Sequence, residues 1–145
     1  MNGAEQAASG ALTHVYRLRV FYEDTDVGGV VYYANYLKFA ERARTEWLRD
    51  YGISQRALAA DSGHVFAVRR VEADFLAPAH LDDELEIRTT VTDHGGAQFA
   101  MGQVIGRGPD ELVRLKVLIA CVNAKGRATR IPAAVAGLLA DQPAV

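Results

Sequence analysis

The fold of the chain is decided by one segment, Tyr22-Glu23-Asp24-Thr25-Asp26-Val27-Gly28-Gly29-Val30-Val31-Tyr32-Tyr33-Ala34-Asn35-Tyr36. It joins a strand-like pattern to the long amphipathic helix pattern of the protein. Three carboxylates lie within four residues, and a Gly-Gly pair follows shortly after them. A carboxylate on a tight loop before a helix places a base beside backbone N–H groups that have no partner within the helix. Attack on a carbonyl carbon needs both, so this segment is the first candidate site.

The residues on either side of this loop predict a strand and a helix. Residues 15–22 alternate between apolar and polar side chains, which is typical of a strand. Over residues 33–51 apolar side chains recur at steps of three and four, which is typical of a helix with one buried face. That face is expected to contain Tyr36, Ala40, Ala43, Trp47 and Tyr51, and Gly52 is expected to end the helix.

Four further strand patterns follow the helix, over residues 65–76, 84–92, 98–105 and 112–122, with a hairpin turn at Gly95-Gly96. Residues 53–63 fit a loop or a short helix, and residues 131–139 fit a short terminal helix. Five antiparallel strands and one long helix predict an α+β domain in which a curved sheet wraps around the helix. The outer face and the edges of such a sheet stay exposed, which favours self-association.

Length and composition indicate one globular domain. The chain has 145 residues, of which 50% are hydrophobic and 23% charged, so we expect a flexible tail over residues 1–13 and one domain over residues 14–140. A net charge of −2 argues against a nucleic-acid partner. The N-terminal residues lack the basic start and apolar segment of a secretory signal, and no apolar run reaches the length of a membrane span.

Residues that form disulfides or bind metals are few. Cys121 is the only cysteine, so no internal disulfide can form, and we expect a cytoplasmic protein in which Cys121 is a buried apolar residue. The four histidines do not have the spacing of metal ligands, so we expect no metal site and no cofactor.

Asp26 is the residue with the clearest chemical use. An aspartate is ionised at pH 7 and can activate water or attack a carbonyl carbon itself. One carboxylate is not enough to hydrolyse an amide or a glycoside efficiently, because the leaving groups of these substrates need a general acid as well. A thioester is an easier substrate, because its thiolate leaves readily near neutral pH. The alternative is that Asp24, Thr25 and Asp26 only form an Asx-type turn that caps the helix entry.

The glycines and the helix start could complete a site around this carboxylate. Gly28 and Gly29 would let the backbone approach a ligand closely, although most Gly-Gly pairs only form turns. The N–H groups near Tyr33 open the helix, whose positive end favours an oxyanion.

Other side chains are candidates for substrate binding. Tyr32, Tyr33 and Tyr36 could line a pocket for an acyl or aryl group, or they could belong to the core. Arg69 and Lys116 could contact the phosphates of a ligand, or they could be ordinary solvated charges on strands.

Two segments of the chain resemble the hotdog-fold acyl-CoA thioesterases. The first is Phe21-Tyr22-Glu23-Asp24-Thr25-Asp26 with the residues up to Tyr36, and the second is Glu41-Arg42-Ala43-Arg44-Thr45-Glu46. The resemblance is closest to the YbgC-type enzymes associated with the Tol-Pal system and more distant to the 4-hydroxybenzoyl-CoA thioesterases. Further matching segments are Phe66-Ala67-Val68-Arg69-Arg70, Ala77-Pro78-Ala79 with Leu81-Asp82-Asp83, and Cys121-Val122-Asn123. Its most specific part is the pattern D-x-x-G-x-V-x-Y that begins at Asp26.

This resemblance implies a hotdog fold, in which the long helix lies inside a curved antiparallel sheet, and a homodimer or homotetramer with active sites at the subunit interface. It implies an acyl-CoA substrate that is hydrolysed to a carboxylic acid and coenzyme A. Asp26 falls on the catalytic aspartate of the family, and Tyr33 falls where a backbone N–H polarises the thioester carbonyl. Many YbgC-type sequences have His at the position of Tyr33, so a role of that side chain is not transferred to this chain.

Two alternatives to hydrolysis stay open. The first is hydration or dehydration of an acyl thioester, a hotdog chemistry that resembles a His-plus-acid arrangement, whereas this loop and helix contain no His. The second is non-catalytic binding of an acyl thioester or of an acyl carrier protein that serves envelope lipid assembly.

Overall fold

The structure, a computed structural model, describes residues 3–6 and 12–142 of the chain, with the side chains of residues 13–142. Within these residues it contains six strands: β1 (Gly3–Gln6), β2 (Leu12–Arg19), β3 (Val65–Phe75), β4 (Glu84–His94), β5 (Gln98–Arg107) and β6 (Asp110–Val122). The helices of this part are α1 (Asn35–Asp50), α2 (Gln55–Ser62) and α3 (Ala133–Ala140), and a short 3-10 turn covers Tyr22–Asp24.

The strands form one antiparallel sheet with the order β1-β2-β4-β5-β6-β3. α1 packs against one face of this sheet, and its apolar side chains share one buried cluster with those of β4, β5 and β6. Because burial alternates along these three strands, each gives one face to the helix and one to the outside. A long helix packed against an antiparallel sheet is the α+β hotdog architecture that the sequence predicts.

The apolar face of α1 is the one that its sequence predicts. Tyr36, Ala40, Ala43 and Trp47 are buried, and Tyr51, which follows the helix, is partly buried against the same cluster. Ala40 and Ala43 are fully buried, so a close-packed interior surrounds their methyl groups and leaves no room for larger side chains. The helix therefore packs against the sheet through small residues at its centre and aromatic residues at its ends.

One buried polar side chain also fixes α1 to the sheet. Gln103 on β5 donates from Nε2 to the carbonyl of Ala40 (3.0 Å) and to the hydroxyl of Thr89 (3.1 Å). Its Oε1 accepts a hydrogen bond from Nη1 of Arg44 (3.0 Å). Since a buried amide without partners is costly, these bonds favour one position of α1 along β5 over its neighbours.

The structure differs from the sequence prediction near the N-terminus. Tyr22 lies in the 3-10 turn and is exposed, whereas the sequence placed it in the first strand pattern, because the chain turns after Arg19 to enter the loop. Of the tail predicted over residues 1–13, residues 1–2 and 7–11 lie outside the described residues. Gly3–Gln6 pairs with β2, so six strands are described where five were predicted. Backbone pairing of four residues needs no hydrophobic pattern, so the sequence gives no sign of it.

β3 ends the sheet, and α1 covers its inward side only in part. Val68, Val71 and Phe75 have the register of inward-facing residues, opposite the buried residues of β6, yet they are 48%, 37% and 51% exposed. The open edge expected from the sequence is therefore present, and its inner side is apolar.

The close packing of α1 against the sheet predicts that two Ala→Leu substitutions differ greatly in their effect on the free energy of unfolding. Ala40→Leu adds a side chain to a close-packed contact and should lower the free energy of unfolding by about 1–3 kcal/mol. Ala57→Leu, on the exposed side of α2, should change it by less than about 0.5 kcal/mol. Urea unfolding at one fixed protein concentration measures both, and equal effects would contradict the described packing of α1.

Candidate active site

The loop that carries Asp26 is held by main-chain hydrogen bonds at its base. Thr25 and Val31 pair as an isolated bridge, and the N–H of Asp26 donates to the carbonyl of Val30 (2.9 Å). The N–H of Val31 donates to the carbonyl of Ala79 (2.9 Å), which belongs to a second loop over residues 77–83. The backbone of Asp26 is therefore fixed from within its own loop and from a distant part of the chain.

Asp26 lies at the exposed tip of this loop. Its Oδ1 accepts the N–H of Gly28 (2.8 Å), and Gly29 follows with a φ of 79°, a conformation that favours glycine. This is the Asx-type turn considered from the sequence, but it does not cap α1, whose N-cap residue Ala34 has no side-chain cap. Among the described residues no hydrogen bond engages Oδ2 of Asp26. One carboxylate oxygen therefore holds the turn and the other is available.

The start of α1 leaves two neighbouring N–H groups without a partner. The N–H of Tyr32 donates to the carbonyl of Asp24 (3.0 Å), and the N–H of Asn35 donates to the carbonyl of Tyr32 (2.8 Å). The N–H groups between them, of Tyr33 and Ala34, make no hydrogen bond within the part of the chain that the structure describes. Because the N-terminal end of a helix carries partial positive charge, this pair of donors suits an anion.

An apolar cavity of about 290 Å³ adjoins these donors, lined by Val31, Tyr33, Tyr36, Phe75, Leu76, Ala77 and Pro78. The ring of Phe75 meets that of Tyr33 edge-on (6.1 Å between centroids) and lies 5.9 Å from that of Tyr36. Tyr32 stacks at a tilt on Tyr33 (5.0 Å) outside the lining. Asp26 does not line the cavity either, so in the single chain its carboxylate faces solvent.

Tyr36 belongs both to the core and to this cavity. Its ring is buried, and its hydroxyl oxygen accepts the N–H of Ala79 (3.0 Å). Burial raises the pKa of the Tyr36 hydroxyl, and the bond from Ala79 offsets this only in part, so the group stays neutral at physiological pH. Because Ala79 is also bonded to Val31, the first turn of α1 and the two loops form one connected unit.

Arg69 and Lys116, the two predicted phosphate contacts, are not brought to this site. Lys116 lies between the buried residues Leu115 and Val117 and so faces away from α1. Arg69 lies at a β-bulge of β3, and its Nη1 donates to Gln98 (2.9 Å), which also faces outward. Their role in phosphate binding stays a prediction, and the single chain gives it no geometric support.

The residues of the 77–83 loop that hold the Asp26 loop in place were not predicted from the sequence. Asp83 accepts the N–H of His80 (2.8 Å) and a bond from Nη1 of Arg107 (2.7 Å), which holds that loop against β5. His80 in turn pairs with Val30, so a histidine does lie beside the Asp26 loop although the loop itself contains none. The one sign of this role in the sequence is that residues 77–83 are among the segments that carry the family resemblance.

The remaining candidates for chemistry are unremarkable in the described part of the chain. No group of three or more potential metal ligands occurs there. Cys121 is buried, as expected, and burial raises the pKa of its thiol. None of the helices in this part combines the length and the apolar character of a membrane span.

Comparison with known proteins identifies the family to which the chain is similar. A model of the thioesterase-like superfamily matches residues 20–139. The acyl-CoA thioester hydrolase YbgC of Escherichia coli O6:H1 is 47% identical over 107 residues, which make up 73% of this chain and 79% of that protein.

Solved structures show the same fold. A probable thioesterase from Bartonella henselae aligns with a TM-score of 0.80 and 42% identity, over 83% of this chain and 99% of that one. A 4-hydroxybenzoyl-CoA thioesterase aligns with a TM-score of 0.81 and 23% identity, over 88% and 98% of the two chains. At that identity the likeness to the second structure concerns the fold alone.

The ion pair of Asp83 predicts a pH-dependent contribution to stability. Burial alone would raise the pKa of the Asp83 carboxyl, but the N–H of His80 and the guanidinium of Arg107 outweigh it and hold this pKa below its ordinary value. A lowered pKa in the folded state stabilises the protein above the unfolded pKa of about 3.9, and this contribution is lost as the pH falls through the folded value. Asp83→Asn should therefore cost about 1 kcal/mol at pH 7 and progressively less in acid.

Urea unfolding of wild type and variant at several pH values measures this difference. Asp61→Asn, which changes an exposed aspartate on α2, is the matched control and should change the free energy of unfolding by less than about 0.5 kcal/mol. A cost that is the same at pH 7 and at the lowest pH at which both proteins still fold would contradict the ion pair as its cause.

Proposed function

The chain belongs to the thioesterase-like superfamily and is an acyl-CoA thioester hydrolase, and we propose that Asp26 and the N–H of Tyr33 are the groups that carry its reaction. The observation that supports this assignment is their pairing on one connected unit. A carboxylate with one unengaged oxygen and two partnerless N–H groups are joined by the same short loop, beside an apolar cavity.

In the hydrolytic step, Asp26 acts as a general base. Its free oxygen takes a proton from water while the water oxygen bonds to the thioester carbon. The carbonyl oxygen gains the negative charge, which the N–H of Tyr33 stabilises with its neighbour Ala34. The C–S bond then breaks, the carboxylic acid is released, and coenzyme A leaves as a thiolate that takes up the proton.

Asp26 can instead act as a nucleophile, with an oxygen that bonds to the same carbon and expels the thiolate. Water then hydrolyses the resulting anhydride. Both routes use the same donors, and both suit a thioester because its leaving group needs no strong acid.

The cavity beside Tyr33 suits the acyl group of the substrate. Its volume of about 290 Å³ exceeds the roughly 150 Å³ that accommodates benzene in an engineered apolar cavity. Tyr36 and Phe75 form its aromatic wall, so either a short alkyl or an aryl group fits the chemistry of the lining.

A second copy of the chain would complete this site. The apolar side chains around the loop and along β3 are exposed in the single chain, namely Phe21, Tyr22, Val27, Val68, Val71 and Phe75. Exposed apolar residues of this number are typical of an interaction surface, and three of them lie on β3, the open edge of the sheet. A homodimer across this surface, alone or paired into a homotetramer, would remove Asp26 from solvent and strengthen its interactions with the substrate.

The part of the substrate that carries the acyl group is anionic, whether it is coenzyme A or an acyl carrier protein. Lys125, Arg127 and Arg130 form an exposed basic loop after β6, and no carboxylate of the described residues forms an ion pair with them. This loop is a further candidate, beside Arg69 and Lys116, for contact with phosphates or with an acidic carrier. We place the reaction in the cytoplasm, which fits a lone buried thiol.

The test of the catalytic assignment is Asp26→Asn, which removes the charge but keeps an oxygen that can accept the bond from Gly28. The value of kcat/KM for thiol release from acyl-CoA should fall by about 10² or more. Retention within tenfold, a loss below about 1.4 kcal/mol, would show that Asp26 is not the base or nucleophile. Asp93→Asn is the matched control, since Asp93 is exposed and likewise accepts a backbone N–H (2.9 Å).

The same assays separate hydrolysis from its alternatives when run with short, long and aromatic acyl-CoAs and with an enoyl-CoA. Thiol release supports hydrolysis, and conversion of the enoyl group without thiol release would support hydration. Tight binding of every acyl-CoA without any reaction would support a binding protein.

The proposed interface predicts that Val71→Lys dissociates the oligomer. A charge on the inward side of β3 would have to be buried without a partner, so the dimer should become a monomer and lose most of its thiol-release activity. Thr92→Lys, on the outward side of β4, should leave a dimer intact. Analytical ultracentrifugation measures both, and a wild-type protein that sediments as a monomer would overturn the interface.

A further inference from the structure

Asn35, the first residue of α1, uses its side chain in an uncommon way. Polar residues at the start of a helix commonly accept the N–H groups of their own helix. Asn35 instead donates from Nδ2 to the carbonyl of Asp24 (2.9 Å), eleven residues earlier in the chain. Because a carbonyl oxygen can only accept, the amide must present its NH₂ group to this partner.

The carbonyl of Asp24 accepts a second hydrogen bond, from the N–H of Tyr32 (3.0 Å). Both of its lone-pair directions are therefore used by residues at the start of α1. The carboxylate of Asp24 is also engaged, since Oδ2 accepts the N–H of Phe21 (2.8 Å), and the residue is buried. Asp24 is thus fixed on the side of the 3-10 turn and on the side of the helix.

These bonds lie between the two groups assigned to the reaction. Asp24 precedes Asp26 by two residues, and the two donors to its carbonyl, Tyr32 and Asn35, flank the partnerless N–H groups of Tyr33 and Ala34. The contact of Asn35 with Asp24 is therefore a direct side-chain link between the loop of the base and the helix start that offers the oxyanion donors.

We propose that Asn35 is a positioning residue for hydrolysis, whose amide sets the separation between the Asp26 carboxylate and the Tyr33 N–H. The proposal rests on the function proposed above and goes beyond it by naming the side chain that holds the Asp26 carboxylate and the Tyr33 N–H at a fixed distance. Asn35 does not touch the substrate in this role, and it acts through the Asp24 carbonyl.

Loss of the Nδ2 donor has two consequences. The loop loses its side-chain link to α1, and a displacement of about 1 Å between reacting groups costs about 10² in rate. The Asp24 carbonyl also keeps only the bond from the N–H of Tyr32, so the backbone that leads to the N–H groups of Tyr33 and Ala34 is held less firmly. Both consequences reduce kcat, whereas the cavity walls at Phe75 and Val31 still bind the acyl group, so KM is preserved.

The experiment compares Asn35→Asp and Asn35→Leu, both close in size to asparagine, with wild type. The carboxylate of the first and the methyl groups of the second cannot donate a hydrogen bond, so kcat for thiol release should fall by about 10–100-fold in both variants. KM should stay within about threefold. The variants should melt within a few degrees of wild type, because each loses only a single hydrogen bond.

A pH profile distinguishes positioning from a structural role. As the pH falls toward the ordinary aspartate pKa of about 3.9, the carboxyl introduced by Asn35→Asp gains a proton and becomes a donor again. Its kcat relative to wild type at the same pH should therefore rise in acid, and that of Asn35→Leu should not. Gln142→Glu is the matched control: Gln142 likewise donates an amide bond to a main-chain carbonyl, that of Leu138 (3.2 Å), and its loss should leave kcat unchanged.

Three results would overturn this role. The first is that Asn35→Leu retains kcat within threefold. Any loss of kcat in Asn35→Asp would then come from the introduced charge and not from the missing hydrogen-bond donor. The second is an activity loss that follows the melting temperature in both variants, which would assign Asn35 to folding. The third is a wild-type protein that releases no thiol, which would overturn the proposed function together with this role, whereas the first two leave that function intact.

Discussion

The helix α1 has to bury one face on the sheet while the two N–H groups directly before it, of Tyr33 and Ala34, find no partner among the described residues, and the rest of the structure depends on this constraint. Tyr36, Ala40, Ala43 and Trp47 bind the helix to the sheet, and Gln103 fixes its position with hydrogen bonds to the main chain and to Arg44. Packing of this strength allows the N-terminus to go without a side-chain cap. The stability that a cap would supply, about 1 kcal/mol, is forgone in favour of two donors for an oxyanion.

The loop before the helix follows from the same constraint. Val31 anchors its base in the core, and the loop is also held by hydrogen bonds, to Ala79 in the 77–83 loop and between Asn35 and Asp24 at the helix start. In the single chain Asp26 is exposed, and so are apolar side chains on the inward side of β3. Water screens the charge of an exposed carboxylate and weakens its interaction with a thioester. This is the physical reason for proposing a second copy of the chain over this surface.

Much of the architecture is predictable from residue patterns. The alternation in residues 84–92, 98–105 and 112–122 predicts strands that the structure contains, because one face of each must be buried and the other not. The spacing from Tyr36 to Trp47 predicts α1 for the same reason. The patterns did not predict β1, whose backbone pairing leaves no hydrophobic trace, or the outward placement of Arg69, which follows from a β-bulge.

For the candidate site, the sequence by itself determined that a carboxylate, two glycines and a helix start are close together, because they are neighbours along the chain and local geometry joins them. Only the tertiary structure decided which of their atoms are free and what surrounds them: that Oδ2 of Asp26 is unengaged in the described residues, that Asn35 bonds back to Asp24, and that Phe75 and Pro78 line the cavity. These contacts join residues that are far apart along the chain or depend on how α1 sits on the sheet, and no local pattern encodes the partner of a hydrogen bond that folding creates.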